Sequence, residues 1–265
     1  MNAPVKKRMD EIKSQGYNID FGDVFNQTIE NYKKIAMYGG LVLFMFFVVF
    51  ILGLAGIFAV IFGTDEALTI LKAEDFKPEN LDLYGLLILS LISIAIGTLI
   101  SPFIAGLFKM AHNADIDEEF HVSTMFHYYK TPYVQEIIIA TFLIAAVDSF
   151  IRGVINYAEI PVLGAVLSAI LSFFTFLTIP LIIFGNSKAL HAIETSIVIV
   201  AKQPFILFAL LIVGVIAVFL GFFACCIGIL FTIPFIYSMS YIIYKYIIGF
   251  PENKEEEVST NFETL

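Results

Sequence analysis

Residues 205–223 read FILFALLIVGVIAVFLGFF, an uninterrupted stretch without a charged or polar side chain. At a rise of about 1.5 Å per residue, a helix of this length crosses a hydrocarbon core of about 30 Å. Backbone polar groups cannot stay unpaired in lipid, so this stretch is expected to be a helix rather than an open strand. Working outward, comparable apolar blocks predict six spans, at 40–62, 84–108, 134–156, 162–185, 205–225 and 227–248.

The composition places the chain outside the class of soluble proteins. It is 59% hydrophobic and 15% charged, whereas soluble domains are about 45–50% apolar and about 25% charged. The net charge of −9 argues against nucleic-acid binding. Residues 1–20 lack an apolar core followed by a cleavage site, so no cleavable signal peptide is expected. Cys225 and Cys226 are adjacent within an apolar run, which predicts buried packing rather than a disulfide.

Polar segments divide the chain into three parts. Residues 1–17 are predicted to be a polar N-terminal tail, and residues 18–250 a six-helix transmembrane domain. Residues 251–265 form an acidic stretch with no apolar face to bury, which predicts a disordered C-terminal tail. Segment 64–82 is acidic and contains a proline, so we expect an extramembrane loop there.

Lysine and arginine are distributed unevenly between the two sides of the predicted spans. Membrane proteins keep an excess of both residues in their cytoplasmic segments. With the N-terminus inside, the cytoplasmic side carries Lys6, Lys7, Arg8, Lys13, Lys33, Lys34, Lys109, Lys130, Lys188, Lys202, Lys245 and Lys254. The far side carries Lys72, Lys77 and Arg152. The sequence therefore predicts a multi-pass protein of the inner (plasma) membrane with both termini in the cytoplasm.

A proline recurs in every second span, close behind a hydroxyl residue. Pro102 follows Ser101 in the second span, and Pro180 and Pro234 each follow a threonine in the fourth and sixth spans. Proline bends a helix and frees a backbone carbonyl, which a nearby hydroxyl can satisfy. This threefold pattern predicts three related helical hairpins, each with a bent second helix.

Each predicted hairpin is preceded by an amphipathic segment on the cytoplasmic side. The first begins after Asp20, a good N-cap, and the others cover residues 122–131 and 188–202. Their apolar stripes are Phe21, Val24, Phe25, Thr28, Ile29, Tyr32 and Ala36; Val122, Met125, Phe126 and Tyr129; and Leu190, Ile193, Ile197 and Val200. We expect interfacial helices beside the spans. The predicted fold is thus an all-α membrane protein of six transmembrane helices, arranged as three helical hairpins that each follow a cytoplasmic amphipathic helix.

Two stretches carry a resemblance to known proteins. IDFGDVFNQTIENYKK at 19–34 leads into the first span, and ACCIGILFTIPFIYSMSYIIYKYIIG at 224–249 ends the last one. Both resemble uncharacterised six-helix bacterial membrane families, including relatives of the membrane domain found on some glycerophosphodiester phosphodiesterases. The resemblance implies a bacterial inner-membrane protein. Some proteins of this kind carry a carotenoid-monooxygenase label, which this chain does not support, because soluble carotenoid oxygenases are β-propellers that hold iron with four histidines.

The chain contains four histidines, all on the predicted cytoplasmic side. They are His112, His121, His127 and His191, and carboxylates such as Asp115 accompany the first two. Their spacing matches no zinc or di-iron pattern, so the segment is interpreted as a solvated acidic loop without a metal. No phosphate loop or nucleophile elbow is present either. The sequence therefore predicts neither an enzyme nor a bound cofactor.

Asp148 and Arg152 lie four residues apart in the third span and thus on one helix face. Ionisable residues inside a span are costly and often mark a functional site. Both lie toward the outer end of the span, where they can also form a structural pair. Lys33, Lys130 and Lys202 stand close to the predicted cytoplasmic interface and are expected to contact lipid phosphates.

Three functional hypotheses remain open at this point. The leading one is a non-enzymatic protein that interacts with membrane lipids or scaffolds a complex with another membrane protein. The second is a small-solute or lipid transporter with a cavity near Asp148 and Arg152, although known transporters favour paired inverted repeats. The third is an enzyme acting on a lipid, which would bring His112, Asp115 and His121 together at one membrane face.

Overall fold

The computed structural model describes residues 3–62, 83–158, 160–223 and 228–250, which are mostly helical and contain no strand. The helices are α1 (Ala3–Gln15), α2 (Phe21–Phe62), α3 (Leu83–Asp115), α4 (Val122–Met125), α5 (Tyr133–Tyr157), α6 (Pro161–Thr175), α7 (Thr178–Ile183), α8 (Ala189–Lys202), α9 (Pro204–Phe222) and α10 (Gly228–Ile247). A 3₁₀ turn at His127–Lys130 follows α4. The predicted loop at 64–82, the cysteines at 225–226 and the tail at 251–265 lie outside the described residues.

Six helical segments are long and apolar enough to cross a membrane. They are Phe21–Ile57, Tyr84–Asp115, Tyr133–Ile155, Pro161–Ile183, Pro204–Phe222 and Gly228–Ile247. The prediction of an all-α, multi-pass membrane protein with six spans is thus confirmed. The last four spans agree with the predicted blocks to within three residues, whereas the first span begins 19 residues earlier and the second ends seven residues later than predicted.

The first amphipathic segment and the first span form one continuous helix, α2, rather than two. At about 1.5 Å per residue this helix is about 63 Å long, twice the thickness of a hydrocarbon core. The helix α2 continues through Gly39 and Gly40. Both glycines lie against the side of α10. A Cβ atom at Gly40 would overlap the ring of Phe231, and one at Gly39 would lie 3.2 Å from Pro234. The glycine pair therefore allows close packing of two helices.

The densest packing lies at the end of the bundle where α1, the start of α2, the end of α3, α8 and the end of α10 meet. We call this end the N-terminal face. The sequence predicts a polar tail at 1–17, but residues 3–15 form α1, whose Val5, Met9 and Ile12 are buried. The spacing of these three side chains places them on one stripe of the helix. A short stripe in a strongly polar segment gives a weak apolar signal, which is why the helix was missed.

Hydrogen bonds attach this N-terminal segment to distant parts of the chain. Arg8 Nε donates to the carbonyl of Ile247 at 3.0 Å, and the Tyr17 hydroxyl donates to the carbonyl of Ile199 at 3.0 Å. Burial raises the pKa of Tyr17 above its ordinary value, so the phenol remains a neutral donor. The N-terminal face is therefore a packed layer that joins both ends of the chain.

Away from the N-terminal face, the helices expose large apolar side chains on their outer surfaces. Examples are Leu52, Val60, Leu91, Phe150, Phe205, Phe219 and Phe223. An exposed apolar surface of this extent is unfavourable in water and favourable in lipid. The outer surfaces of these helices thus require lipid, whereas the packed N-terminal face does not.

The three prolines have different local structures. The helix α3 continues through Pro102. Because proline has no N–H, the carbonyl of Thr98 loses its helical partner, and the Ser101 hydroxyl donates to that carbonyl at 2.7 Å instead. This is the arrangement that the Ser-Pro pair predicts. α10 also continues through Pro234, but the Thr232 hydroxyl lies 3.1 Å from the carbonyl of Val218, on α9. The same hydroxyl contacts the carbonyls of Ile229 and Gly228 in its own helix, but not that of Leu230, which Pro234 leaves without its N–H.

The fourth span is interrupted before Pro180, at Phe176–Leu177, which separates α6 from α7. Here a distant hydroxyl satisfies the freed backbone groups. Ser196 Oγ of α8 donates to the carbonyl of Phe174 at 2.8 Å and accepts from the N–H of Leu177 at 3.3 Å. The nearby Thr178 hydroxyl is buried without a partner among the described residues. The proline pattern therefore marks helix irregularities, although a neighbouring hydroxyl repairs the backbone only at Pro102.

Candidate functional site: a polar cleft at the N-terminal face

The start of α2 and the end of α3 enclose a cleft of about 310 Å³, which we call the polar cleft. Its lining consists of Gln27, Glu30, Asn31, Lys34, Ala114 and Asp115. α2 supplies four of these residues at helical spacing, on one face of its first turns. Since the cleft holds carboxylate, ammonium and amide groups together, it is suited to a polar ligand rather than an apolar one.

A charged cluster anchors one wall of the polar cleft. Both carboxylate oxygens of Asp115 lie 2.7 Å from Lys245 Nζ of α10. The hydroxyl of the fully buried Tyr241 donates to Asp115 Oδ2 at 2.9 Å. His112 Nδ1 lies 3.1 Å from the same hydroxyl oxygen, and its ring packs on Phe250 at 4.8 Å between centroids. Asp115 is thus held in place with its charge compensated.

Hydrogen bonds also fix the floor of the cleft. The side chain of Asn31 is buried; its Nδ2 donates to the carbonyl of Ala111 at 2.7 Å, and its Oδ1 accepts from Ser238 Oγ at 2.6 Å. Gln27 Nε2 donates to the hydroxyl of Tyr246. These contacts join α2, α3 and α10, so the floor is organised before any ligand arrives.

The two charged residues that α2 contributes have different surroundings. Lys34 Nζ donates to the carbonyl of Ala114 at 2.9 Å and forms an ion pair with Asp117. Asp117 follows the end of α3 with a φ of 56°, a left-handed conformation that aspartate tolerates better than most residues. Glu30 is exposed and has no ion pair or hydrogen bond to its carboxylate within the described parts of the chain. The polar cleft therefore contains one acid without a counter-ion.

A second cavity, of about 160 Å³, opens on the side of α2 next to α4. We call it the apolar groove, and its lining is Val42, Met45, Phe46, Val49, Val122 and Phe126. α4 is held close to α3, because Gly106 lies against the backbone of Met125 and the Tyr129 hydroxyl donates to the carbonyl of Leu99 at 2.7 Å. This close approach forms the wall of the groove opposite α2.

Asp148 and Arg152, the pair predicted from their spacing in the third span, lie together on α5. Arg152 Nε is 2.9 Å from Asp148 Oδ2, and the arginine side chain is 54% exposed while that of Asp148 is 29% exposed. Asp148 Oδ1 is buried without a partner among the described residues. Neither side chain lines the polar cleft or the apolar groove. The structure thus brings the two residues together with each other, but with neither of these two cavities.

We expect Asp148→Asn to lower the melting temperature in detergent only slightly, by about 2 °C or less. The two residues lie four apart on one helix face, and ion pairs with this spacing contribute about 0.3–0.5 kcal/mol. Circular dichroism melts of the wild type and the variant measure the effect. A decrease of 5 °C or more would contradict this interpretation of the pair.

The three lysines predicted to contact lipid phosphates have different contacts. Lys33 and Lys130 are exposed, and neither side chain has a partner within the described residues. Lys202, at the end of α8, donates to the carbonyl of Lys13 at 2.8 Å and thereby satisfies the last turn of α1. Lys33 and Lys130 therefore remain available for phosphate, whereas Lys202 already has a partner in the chain.

The histidines do not converge on one another. His112 belongs to the cluster at Asp115, whereas His121 lies at the start of α4, where its backbone N–H donates to Thr124 Oγ1 at 3.0 Å. Burial lowers the pKa of His127, and the charge of Lys109 lowers it further. The described residues contain no group of three or more histidine, cysteine, aspartate or glutamate side chains placed to hold a metal ion. Of the three residues that an enzyme hypothesis required together, the structure joins His112 and Asp115 only.

Sequence reasoning missed the polar cleft because its parts are distant in the chain. Lys245 and Asp115 are separated by 130 positions, and each looks like an ordinary charge at the end of a span. The available signal was the polar face of α2, where Gln27, Glu30 and Lys34 follow one another at helical spacing. That face was interpreted only as the solvated side of an amphipathic helix.

Comparison with known proteins found no matching family model, no matching curated protein and no matching solved structure. The resemblance to six-helix bacterial families stays a prediction that rests on the two stretches quoted above. The polar cleft and the apolar groove are therefore the features from which a function can be inferred.

Proposed function

We propose that this chain is a non-enzymatic, lipid-binding protein of the inner membrane. The observation that carries the proposal is the apolar groove, a cavity lined only by apolar side chains that opens on the flank of a membrane-spanning helix. Met45 and Val49 at its mouth are more than half exposed, so the groove is accessible from the side. In a membrane, the molecules that surround this flank are lipids.

The dimensions of the groove favour a single acyl chain as its occupant. A helix with its side chains is about 10–12 Å across, too wide for a cavity of about 160 Å³. An extended hydrocarbon chain is narrow and apolar, and it loses unfavourable contacts when it fills a groove of this kind. Lipid binding accounts for the groove more simply than the docking of a second membrane protein does.

The orientation of the chain is part of the same proposal. The excess of lysine and arginine at the N-terminal face supports a cytoplasmic location for this face and for both termini. In that orientation the exposed ammonium groups of Lys33 and Lys130 lie near the cytoplasmic leaflet, where anionic headgroups attract them. The partners that follow from this placement are membrane lipids.

The arrangement of spans as three hairpins with amphipathic helices is likewise proposed. Three contacts within consecutive pairs of spans support it: Phe46 stacks on Phe103 at 4.0 Å, Ile155 packs on Gly164, and Thr232 reaches the carbonyl of Val218. The relationship to the six-helix bacterial families belongs to the same proposal. The hairpins are supported by these contacts and by the proline pattern, and the family relationship by the two stretches of sequence quoted above.

A non-enzymatic role is favoured because the most convergent polar residues are engaged with one another. Both oxygens of Asp115 contact Lys245, which leaves this acid poorly placed to exchange protons with a substrate. A transport role has no comparable support, since neither cavity includes Asp148 or Arg152.

Filling the groove tests the proposal. We expect Val49→Phe to place an aromatic ring at the mouth of the groove and to remove about one retained phospholipid per protein. Protein purified in mild detergent is examined by native mass spectrometry, which counts the lipids that remain bound. Val215→Phe on α9 is the matched control, because Val215 is partly exposed and lines neither cavity. Equal lipid retention in both variants and the wild type would refute the proposal.

A further inference from the structure

We infer that the polar cleft binds a phosphoethanolamine group, a primary ammonium joined through two carbons to a phosphate. The group can belong to the headgroup of a phospholipid or to a soluble molecule. In its lipid form the inference deepens the proposed function and rests on it, because it names the headgroup of the lipid whose acyl chain enters the apolar groove.

Glu30 supplies the site for the ammonium. A glutamate four residues before a lysine on a helix ordinarily pairs with it, yet Lys34 points instead toward the end of α3, to Asp117 and the carbonyl of Ala114. The Glu30 carboxylate is left without a counter-ion in the part of the chain that the structure describes. A ligand that brings its own ammonium supplies the missing charge.

Lys34 supplies the site for the phosphate. Its partner Asp117 has a side chain that is 82% exposed, and ion pairs this open to water contribute little. A phosphate with several charge-assisted acceptors can therefore replace or share that contact. Because Glu30 and Lys34 line the same cleft one helical turn apart, an ammonium and a phosphate of one small molecule can reach both.

The remaining walls favour a zwitterion over a simple ion. A metal cation would find the carboxylates of Glu30 and Asp115 and the amide oxygens of Gln27 and Asn31, but the ammonium of Lys34 beside them would oppose it. A lone anion would be repelled by Glu30, which has no compensating charge. Asp115 does not oppose a phosphate strongly, since Lys245 neutralises it. An ammonium–phosphate pair can compensate the charges of Glu30 and Lys34 at once.

The position of the polar cleft agrees with a lipid that continues into the apolar groove. The cleft volume of about 310 Å³ lies at the lower end of the range of ligand sites, about 300–1,000 Å³. Lys34 and Val42 are the nearest lining residues of the two cavities along α2, and eight residues of helix separate them by about 12 Å. A headgroup and glycerol region can span that distance.

Two measurements on the full-length protein test the inference. In the first, the protein in nanodiscs of mixed phosphatidylethanolamine and phosphatidylcholine is analysed for the lipids it retains. In the second, soluble phosphoethanolamine is titrated into detergent-solubilised protein by isothermal calorimetry. Glu30→Gln removes the unpaired charge without removing any contact within the described residues. Glu194→Gln is the control, since Glu194 is also exposed, makes only a 3.8 Å contact with His191, and lies on α8, which does not line the cleft.

We expect Glu30→Gln, but not Glu194→Gln, to weaken binding about fivefold in at least one of the two measurements. A loss of phosphatidylethanolamine enrichment identifies a lipid headgroup as the ligand, and a loss confined to the titration identifies a soluble one. If neither measurement depends on Glu30, the inference is overturned. Retention of lipid that responds to Val49→Phe but shows no headgroup preference would overturn the inference and leave the proposed function intact.

Discussion

Gly106→Ala is expected to lower the melting temperature in detergent by about 5 °C or more, the largest effect of a small change in this protein. A Cβ atom at Gly106 would overlap the carbonyl oxygen, Cα and carbonyl carbon of Met125. Backbone atoms cannot rotate away as a side chain can, so α4 must separate from α3. Overpacking of this kind costs about 1–3 kcal/mol, or about 2–4 °C for each kcal/mol in a chain of this size.

Gly97→Ala is the matched control, since Gly97 lies on the same helix and a Cβ atom there meets nothing within 4 Å. We expect an unchanged or slightly higher melting temperature, because alanine favours the helix by about 1 kcal/mol over glycine. Circular dichroism melts of both variants give the comparison. If the two alanines lowered the melting temperature equally, the close packing of α4 on α3 would be wrong. The lipid count of Gly106→Ala should also decrease, because α4 forms a wall of the apolar groove.

Asp115→Asn is expected to produce the second large effect, a loss of about 2 kcal/mol that lowers the melting temperature by about 4–8 °C. The substitution leaves Lys245 without its counter-ion and weakens the acceptor for the buried Tyr241 hydroxyl. Asp115 is mostly buried, with 18% of its side chain exposed. The pair of Asp148 with Arg152 is more exposed, so its loss should cost less.

A double-mutant cycle separates this ion pair from other effects of the substitution. We expect Lys245→Gln to destabilise the protein as well, and the double variant to lose less than the sum of the two single variants. The coupling should be about 1–2 kcal/mol for groups in direct contact. Additive losses would show that Asp115 and Lys245 act independently, which would contradict the 2.7 Å contacts between them.

The spans could be predicted from the sequence because the bilayer imposes a local rule on them. A helix that crosses lipid needs about 20 consecutive apolar residues, and this requirement does not depend on the neighbouring helices. The helix α1 was missed for the opposite reason. Its three buried residues, Val5, Met9 and Ile12, gain their environment only from distant parts of the chain.

Glycines show the same limit of local reasoning. The spacing of Gly53 and Gly56 and the position of Gly97 are typical of sites of close helix packing, yet a Cβ atom at any of the three meets nothing within 4 Å. Gly106, which does allow close packing, has no small residue four positions away on either side. Whether a glycine faces a neighbour or the surroundings depends on the rotation of its helix, which composition does not specify.

The polar cleft was partly visible in the sequence. The polar face of α2 could be read from helical spacing, and His112 was paired with Asp115 as a conditional expectation of the enzyme hypothesis. The contacts of Asp115 with Tyr241 and Lys245 could not be predicted, because they join residues more than 120 positions apart. Single-sequence patterns locate polar residues on a helix, but they do not show which helices meet.

The proposed orientation places the N-terminal face in the cytoplasm, and cysteine accessibility measures this placement most directly. In a background of Cys225→Ser and Cys226→Ser, single cysteines are introduced as Lys33→Cys and Ala158→Cys. Both positions are exposed and lie at opposite ends of the spans. Intact spheroplasts and permeabilised cells are then treated with a membrane-impermeant maleimide. With this orientation, we expect the cysteine at position 158 to react in intact spheroplasts and the one at position 33 to react only after permeabilisation. The reverse pattern, or equal labelling of both positions from outside, would contradict it.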